Sequence, residues 1–137
     1  MYIVTNRDVS NGNTVRAFGD TPSPKGPNEL RIIEVNKVDD KWKVSPQIDE
    51  LTSAKTKQLA KEYHLDIDTS LPWHGSLEVA CKVFKQAKEE KKAILFFVHG
   101  YNNDVSDVLK AAEELESLYN LIVIPFTWPA NGGGAIS

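Results

Sequence analysis

Cysteine is nearly absent from this 137-residue chain, which contains only Cys81. A single thiol cannot form an internal disulfide, so no disulfide framework holds the fold together. No apolar run comes near the roughly 18 residues that a helix needs to span a bilayer. The first ten residues lack the basic and apolar parts of a secretory leader. These absences predict a cytoplasmic protein with no membrane partner.

An excess of one charge is also missing. The chain has 16 Lys and Arg against 19 Asp and Glu, a net charge of −3, which gives no electrostatic case for a nucleic-acid partner. No His, Cys or acidic residues have metal-ligand spacing, and the Gly132–Gly134 run lacks the Lys-Ser/Thr of a phosphate loop. We therefore predict no metal and no cofactor. The length and an ordinary 41% of hydrophobic residues suit one domain, 1–137.

The stretch from Ala93 to Trp128 carries the strongest pattern. Residues 93–99 form a short apolar run typical of a strand buried on both faces, and 120–126 form a second one. Between them, residues 104–118 show helical spacing of apolar positions, with charged residues on the opposite side. Strand, helix and strand at this spacing predict a βαβ unit with parallel strands.

Weaker patterns predict the other elements. Tyr2–Thr5 indicates a strand, and 6–28 a long polar loop with a short strand around 15–18. Residues 30–36 and 41–45 indicate an antiparallel hairpin, and 49–63 a helix. A second helix is predicted over 76–90, with Ser76 as its N-cap and a buried stripe that includes Cys81.

Together these elements predict an α/β fold: a mixed sheet with a parallel βαβ core, the hairpin at one edge, and helices 76–90 and 104–118 packed on it. Residues 1–50 would form a β-rich annex and 76–130 an αβαβ core. The predicted core consists of Leu77, Phe84, Ile94, Phe96, Val98, Leu109, Ala112, Leu115, Ile122 and Ile124.

Two strand ends resemble a known family. Val98-His99-Gly100-Tyr101-Asn102-Asn103 before a helix, followed by Phe126-Thr127-Trp128-Pro129, is similar to the α/β-hydrolase superfamily. More narrowly, it resembles a poorly characterised bacterial branch with VHG(Y/F)N and WP strand ends. The resemblance covers about the last third of the chain well, and implies an incomplete hydrolase-like fold, of which only the amino-terminal part is present.

The resemblance also implies site residues. The backbone N–H of Tyr101 would donate to the oxyanion of a tetrahedral intermediate, Gly100 would allow the sharp turn, and His99 would be a structural neighbour. Asn102 and Trp128 would contact an acyl or ester substrate. Each has a simpler interpretation: 99–100 as an ordinary turn, Asn103 or Asp104 as a helix cap, and Trp128 as a core-edge aromatic.

Other candidates have weaker support. His64 and His74 lie where the family has no catalytic base, and His74 fits a loop before a helix better. Cys81 fits a buried small side chain better than a nucleophile.

The motif that should carry the nucleophile is missing. None of the nine serines lies in the G-x-S-x-G elbow of an α/β hydrolase. Three hypotheses follow. In the first, the chain is the amino-terminal portion of a serine hydrolase for carboxylic esters or similar acyl bonds and is inactive alone. In the second, it is a non-catalytic binding module that contacts a partner or a second copy through an exposed sheet edge, or through the rim formed by Tyr101 and Trp128. In the third, it is an unrelated small enzyme that uses His99 with Asp104 or Asn102. Whether the chain alone is an enzyme stays open.

Overall fold

A computed structural model describes residues 1–26, 28–45, 49–99 and 104–129 of the chain. The strands are β1 (Tyr2–Thr5), β2 (Arg7–Val9), β3 (Phe18–Pro22), β4 (Arg31–Val38), β5 (Lys41–Val44), β6 (Ala93–Val98) and β7 (Leu121–Thr127). The helices are α1 (Ser53–Glu62), α2 (Ser76–Glu90) and α3 (Val105–Leu118), with a short 3-10 turn at Val15–Ala17.

The chain divides into two compact units. One combines Met1–Pro46 with Ala93–Ser137, and the other is Gln47–Lys92. The strands β1, β4 and β5 belong to the same sheet as β6 and β7, so the β-rich start of the chain shares a sheet with the βαβ core. The prediction of a single domain, and that of α2 packed on the sheet, stay predictions.

The main sheet has five strands in the order β5-β4-β1-β7-β6. Both β1 and β6 run parallel to β7, whereas β4 is antiparallel to β1 and to β5. This arrangement confirms the predicted α/β class, the mixed sheet, the parallel βαβ core and the hairpin at one edge.

The helix α3 covers one face of this sheet. Its residues Val105, Val108, Leu109 and Ala112 are buried, as their spacing predicted. The core cluster contains Ile3, Val9, Ala17, Phe18, Ile33, Val35, Val44, Val105, Val108 and Leu109. Because alternate residues of a strand face opposite sides, the register of β6 and β7 places Leu95 and Phe97 on the same face as Val123 and Pro125.

The expectation that β6 is buried on both faces was wrong. Phe96 is 71% exposed and Val98 is 65% exposed, although both were predicted in the core. Phe96 pairs with Ile124, which is buried because β7 has a strand on each side. Within the described ranges β6 has a strand on one side only, and at such an edge an apolar side chain has fewer neighbours to cover it.

The loop predicted over 6–28 contains a small second sheet. The strands β2 and β3 pair antiparallel with a register shift, and Val9 and Phe18 insert into the core. The expected strand at 15–18 is a 3-10 turn, with strand structure beginning only at Phe18. Short strands rich in polar residues have little sequence signature, because their pairing is decided by contacts with the rest of the fold.

The unit Gln47–Lys92 contains the two predicted helices α1 and α2. Thr52 caps α1 by accepting from the backbone N–H of Lys55. The N-cap of α2 is Gly75, without a side-chain hydrogen bond, so the prediction of Ser76 as cap was wrong by one residue. Cys81 is buried as predicted, whereas Phe84, assigned to the same stripe, is 66% exposed and therefore not a core residue.

Candidate functional site at the carboxyl ends of the parallel strands

The carboxyl ends of three strands lie together at one edge of the main sheet. The end of β1 is paired with that of β7 through Thr5 and Thr127, and the end of β6 is paired with β7 through Val98 and Phe126. The residues that follow these ends therefore come into contact. Open α/β sheets bind their ligands at this edge, outside the carboxyl ends of parallel strands.

His99, directly after β6, contacts Trp128, directly after β7. Their rings are stacked with centroids 5.3 Å apart and planes 19° apart. The backbone N–H of Trp128 donates to Nε2 of His99 at 3.3 Å. A nitrogen that accepts carries no proton, so the hydrogen bond assigns the neutral ring proton to Nδ1. His99 is only 4% exposed, which agrees with its predicted structural role.

A buried arginine follows the end of β1. The side chain of Arg7 is 2% exposed, and its Nε donates to Oγ1 of Thr127 at 3.0 Å. One terminal nitrogen donates to the carbonyl oxygen of Trp128 and the other to that of Gly19, both at 2.8 Å. The guanidinium thus connects β3 to the carboxyl end of β7.

Thr5 completes this connection. Its hydroxyl donates to the carbonyl oxygen of Thr127 at 2.9 Å and accepts from the backbone N–H of Arg7 at 3.0 Å. Both threonines are fully buried. The hydrogen bonds that join Thr5, Arg7 and Thr127 are therefore buried, and each of these side chains has a partner, as burial of polar groups requires.

The ion pair between Arg7 and Asp20 is long and open to solvent. Asp20 lies 3.7 Å from a terminal nitrogen, but its carboxylate is fully solvent-exposed. Burial lowers the pKa of Arg7, while the negative charges of Asp20 and Asp104 raise it. An arginine stays protonated at neutral pH even so, and its cation is held mainly by neutral oxygens.

Asp104 is the N-cap of α3. Its carboxylate accepts from the backbone N–H of Asp107, and the Asp107 carboxylate accepts from that of Asp104. This reciprocal pair confirms the cap that we favoured for Asp104. Since His99 and Asp104 are both engaged in structural hydrogen bonds, their arrangement does not favour the hypothesis that they act as a catalytic pair.

Several predicted site residues lie outside the described residues. Gly100, Tyr101 and Asn102 are among them, as are Asn103 and the Gly132–Gly134 run. The oxyanion donor and the Asn102 contact therefore stay predictions. Of the predicted site residues, the structure describes His99 and Trp128, and it brings these two together.

Sequence reasoning missed Arg7, Thr5 and Thr127. The only available signal was the Thr5-Asn6-Arg7 run directly after the β1 strand, which we interpreted as the start of a polar loop. A charged residue in such a loop is normally exposed. Only the pairing of β1 with β7 brings this arginine under the end of β7.

The remaining candidates lie in the unit Gln47–Lys92. His64 and His74 are exposed there. Burial, followed by the negative charges of Glu62 and Glu78, raises the pKa of the Cys81 thiol. A raised pKa disfavours the thiolate, so Cys81 is a poor nucleophile.

The described part of the chain contains no group of three or more His, Cys, Asp or Glu side chains that could hold a metal ion. In the same ranges, no helix combines the length and the apolar surface that crossing a membrane requires.

Part of the chain is similar to a known protein family. A family model described as "Alpha/beta hydrolase of unknown function (DUF900)" matches residues 78–135, which is less than half of the chain but includes the ends of β6 and β7. No curated protein and no solved structure matches. The match supports the similarity to the α/β-hydrolase superfamily.

Proposed function

We propose that this chain forms the oxyanion side of an acyl-hydrolase site that cleaves carboxylic esters or related acyl bonds. The observation that supports this most is the buried His99–Trp128 contact, which lies at the carboxyl ends of the parallel strands and directly before residues 100–103. A rigid base at this position is what a backbone oxyanion donor requires, because preorganised donors lose no energy by reorienting during the reaction.

In this proposal the substrate carbonyl is attacked by a serine oxygen, and its own oxygen becomes negatively charged. The backbone N–H of Tyr101 donates to that oxygen, and Gly100 permits the turn that presents the N–H. Trp128 is half-buried and offers an apolar ring for the acyl or aromatic part of the substrate. Asn102 orients the substrate, and His99 supports the turn without exchanging protons.

The chain itself provides no attacking group for this reaction. None of its serines lies in a G-x-S-x-G elbow, and a serine hydroxyl without an oriented base is a poor nucleophile. We therefore propose that the catalytic serine, acid and base are encoded beyond Ser137, and that the 15.3 kDa chain alone is inactive.

The test compares this chain with the natural gene product, isolated with an antibody to this segment and weighed by mass spectrometry. We expect a mass well above 15.3 kDa and hydrolysis of p-nitrophenyl butyrate by that product but not by the chain. In the natural product, Tyr101→Pro removes the proposed donor and should lower kcat by about 100-fold or more. Tyr101→Phe, which keeps the N–H, is the matched control.

Two outcomes would count against the proposal. One is an inactive natural product that contains an intact elbow. The other is a folded Tyr101→Pro variant with the activity of the Tyr101→Phe control, because a proline at this position has no N–H to donate.

A second candidate function is a binding module that self-associates through the edge of β6. The observation in its favour is the exposure of Phe96 and Val98, together with the lack of any charge or proline within β6. The opposite edge strand, β5, contains Lys41 and Lys43, and lysines at an edge discourage pairing with another chain.

Light scattering of the purified chain over a range of concentrations discriminates between the two functions. If the module hypothesis holds, the chain is dimeric, Phe96→Lys makes it monomeric, and Phe84→Lys, an equally exposed site on α2, does not. A wild-type chain that stays monomeric at every concentration would contradict self-association.

A further inference from the structure

Trp128 is the first residue after β7, and side chains hold both of its backbone polar groups. Its N–H donates to Nε2 of His99, and its carbonyl oxygen accepts from Arg7. Neither hydrogen bond belongs to the ladder of the sheet, because β7 ends at Thr127. The N–H belongs to the peptide between Thr127 and Trp128, whose carbonyl oxygen accepts from Thr5, and the Trp128 carbonyl belongs to the next peptide. Arg7 donates to Oγ1 of Thr127 and to the Trp128 carbonyl, so it holds the residues on both sides of this N–H.

The guanidinium of Arg7 holds these two residues in a defined geometry. It is planar, and its donors point in fixed directions toward acceptors on Gly19, Thr127 and Trp128. The imidazole of His99 stacks on the Trp128 ring, and its Nε2 accepts from the Trp128 N–H at 3.3 Å. A displacement of Thr127 or Trp128 would therefore move the proton donor that faces Nε2.

We propose that Arg7 is a positioning residue, which keeps the N–H of Trp128 on Nε2 of His99 and so holds His99 in the tautomer with its proton on Nδ1. Free histidine in water favours the other tautomer, with the proton on Nε2, so the protein must stabilise the observed form. The consequence for catalysis rests on the proposed function: a fixed tautomer keeps the hydrogen-bonding pattern of His99 fixed at the carboxyl end of β6. The control of the tautomer itself does not depend on any activity.

The test is long-range ¹H–¹⁵N NMR of the histidine rings in the full 137-residue chain, at a pH where the imidazoles are neutral. The exposed His64 and His74 serve as internal references for unconstrained rings. We expect wild-type His99 to be mainly the Nδ1–H tautomer. In Arg7→Met the ratio of Nδ1–H to Nε2–H should fall by about fivefold, as expected for the loss of one hydrogen bond.

Further variants keep the result decisive if Arg7→Met does not fold. Thr127→Val removes the acceptor of Nε and should lower the ratio by about twofold or more, whereas Thr127→Ser keeps the hydroxyl and should preserve it. Arg7→Lys keeps the charge without the planar geometry and should also lower the ratio. The exposed Arg16→Met is the matched control and should leave the ratio unchanged.

Folded Thr127→Val and Arg7→Lys variants with a wild-type tautomer ratio would overturn the proposal. The NMR measurement tests the positioning role of Arg7 and the ester assay tests the hydrolase function, so either one can be rejected without the other. A shifted ratio in a protein that hydrolyses no ester would uphold the positioning role and reject the hydrolase function. An active natural product whose His99 tautomer ratio is unchanged by substitution of Arg7 would uphold the hydrolase function and reject the positioning role.

Discussion

Replacing Arg7 with methionine should lower the free energy of unfolding by about 3 kcal/mol. The substitution keeps a long, flexible side chain but removes the donor of three acceptors, one on the buried Thr127 and two on the half-buried Gly19 and Trp128. Part of that loss is offset, because the variant no longer buries a cation whose nearest carboxylate, on Asp20, is solvent-exposed. The change in free energy is measured by urea denaturation, with tryptophan fluorescence as the signal. Trp73 is replaced by Phe in every variant, so that Trp42 and Trp128 report on the unit that contains Arg7.

Arg16→Met is the control for this experiment, since it also removes one arginine but from an exposed position. Its effect should stay within about 0.5 kcal/mol. Arg7→Lys should fall between the two, because an ammonium group cannot reach three acceptors in one plane. If the urea denaturation curves of Arg7→Met and Arg16→Met have equal midpoints and slopes, the hydrogen bonds of Arg7 contribute no net stability.

Replacing Leu109 with alanine should destabilise the same unit by about 3 kcal/mol, within the range of roughly 2 to 5 for a buried leucine. Leu109 is 0% exposed and belongs to the cluster that α3 forms with Ile3 and Ile33 of the sheet. The truncation removes buried methyl groups and leaves a cavity that the close-packed strands can fill only in part. The midpoint of urea denaturation should fall with an unchanged slope.

Leu118→Ala provides the matched control, because Leu118 lies on the same helix but is 73% exposed. The two substitutions have the same chemistry and differ in burial, so the difference between them isolates the packing term. We expect Leu118→Ala to change stability by about 0.5 kcal/mol or less. Equal losses at the two positions would mean that α3 does not pack on the sheet through Leu109.

Elements with a strong periodic pattern were predictable. The helix α3 has its apolar residues on one face over 14 residues, and the sequence limited its cap to Asn103 or Asp104. The runs that form β6 and β7 are apolar and joined by this helix, which requires them to be parallel. The placement of His99 and Trp128 at the same edge of the sheet followed from the same reasoning.

Exposure within β6 could not be predicted from its composition. Its six residues include no charged or polar side chain, yet Phe96 is largely exposed whereas Ile124, its partner on β7, is buried. Whether an apolar strand is covered depends on its place in the strand order, and that order is set by long-range pairing. The register shift between β2 and β3 is a similar case, because it arises from contacts between two strands and not within either one.

The sequence by itself determined the α/β class, the parallel βαβ unit, the capped helix and the lack of a G-x-S-x-G elbow, because each of these depends on residues close together in the chain. Only the tertiary structure decided that Arg7 is buried under the end of β7, since its partner Thr127 lies 120 residues away. It likewise decided which nitrogen of His99 accepts from Trp128. Such contacts join distant segments through directional hydrogen bonds, and no local pattern of residue types encodes their geometry.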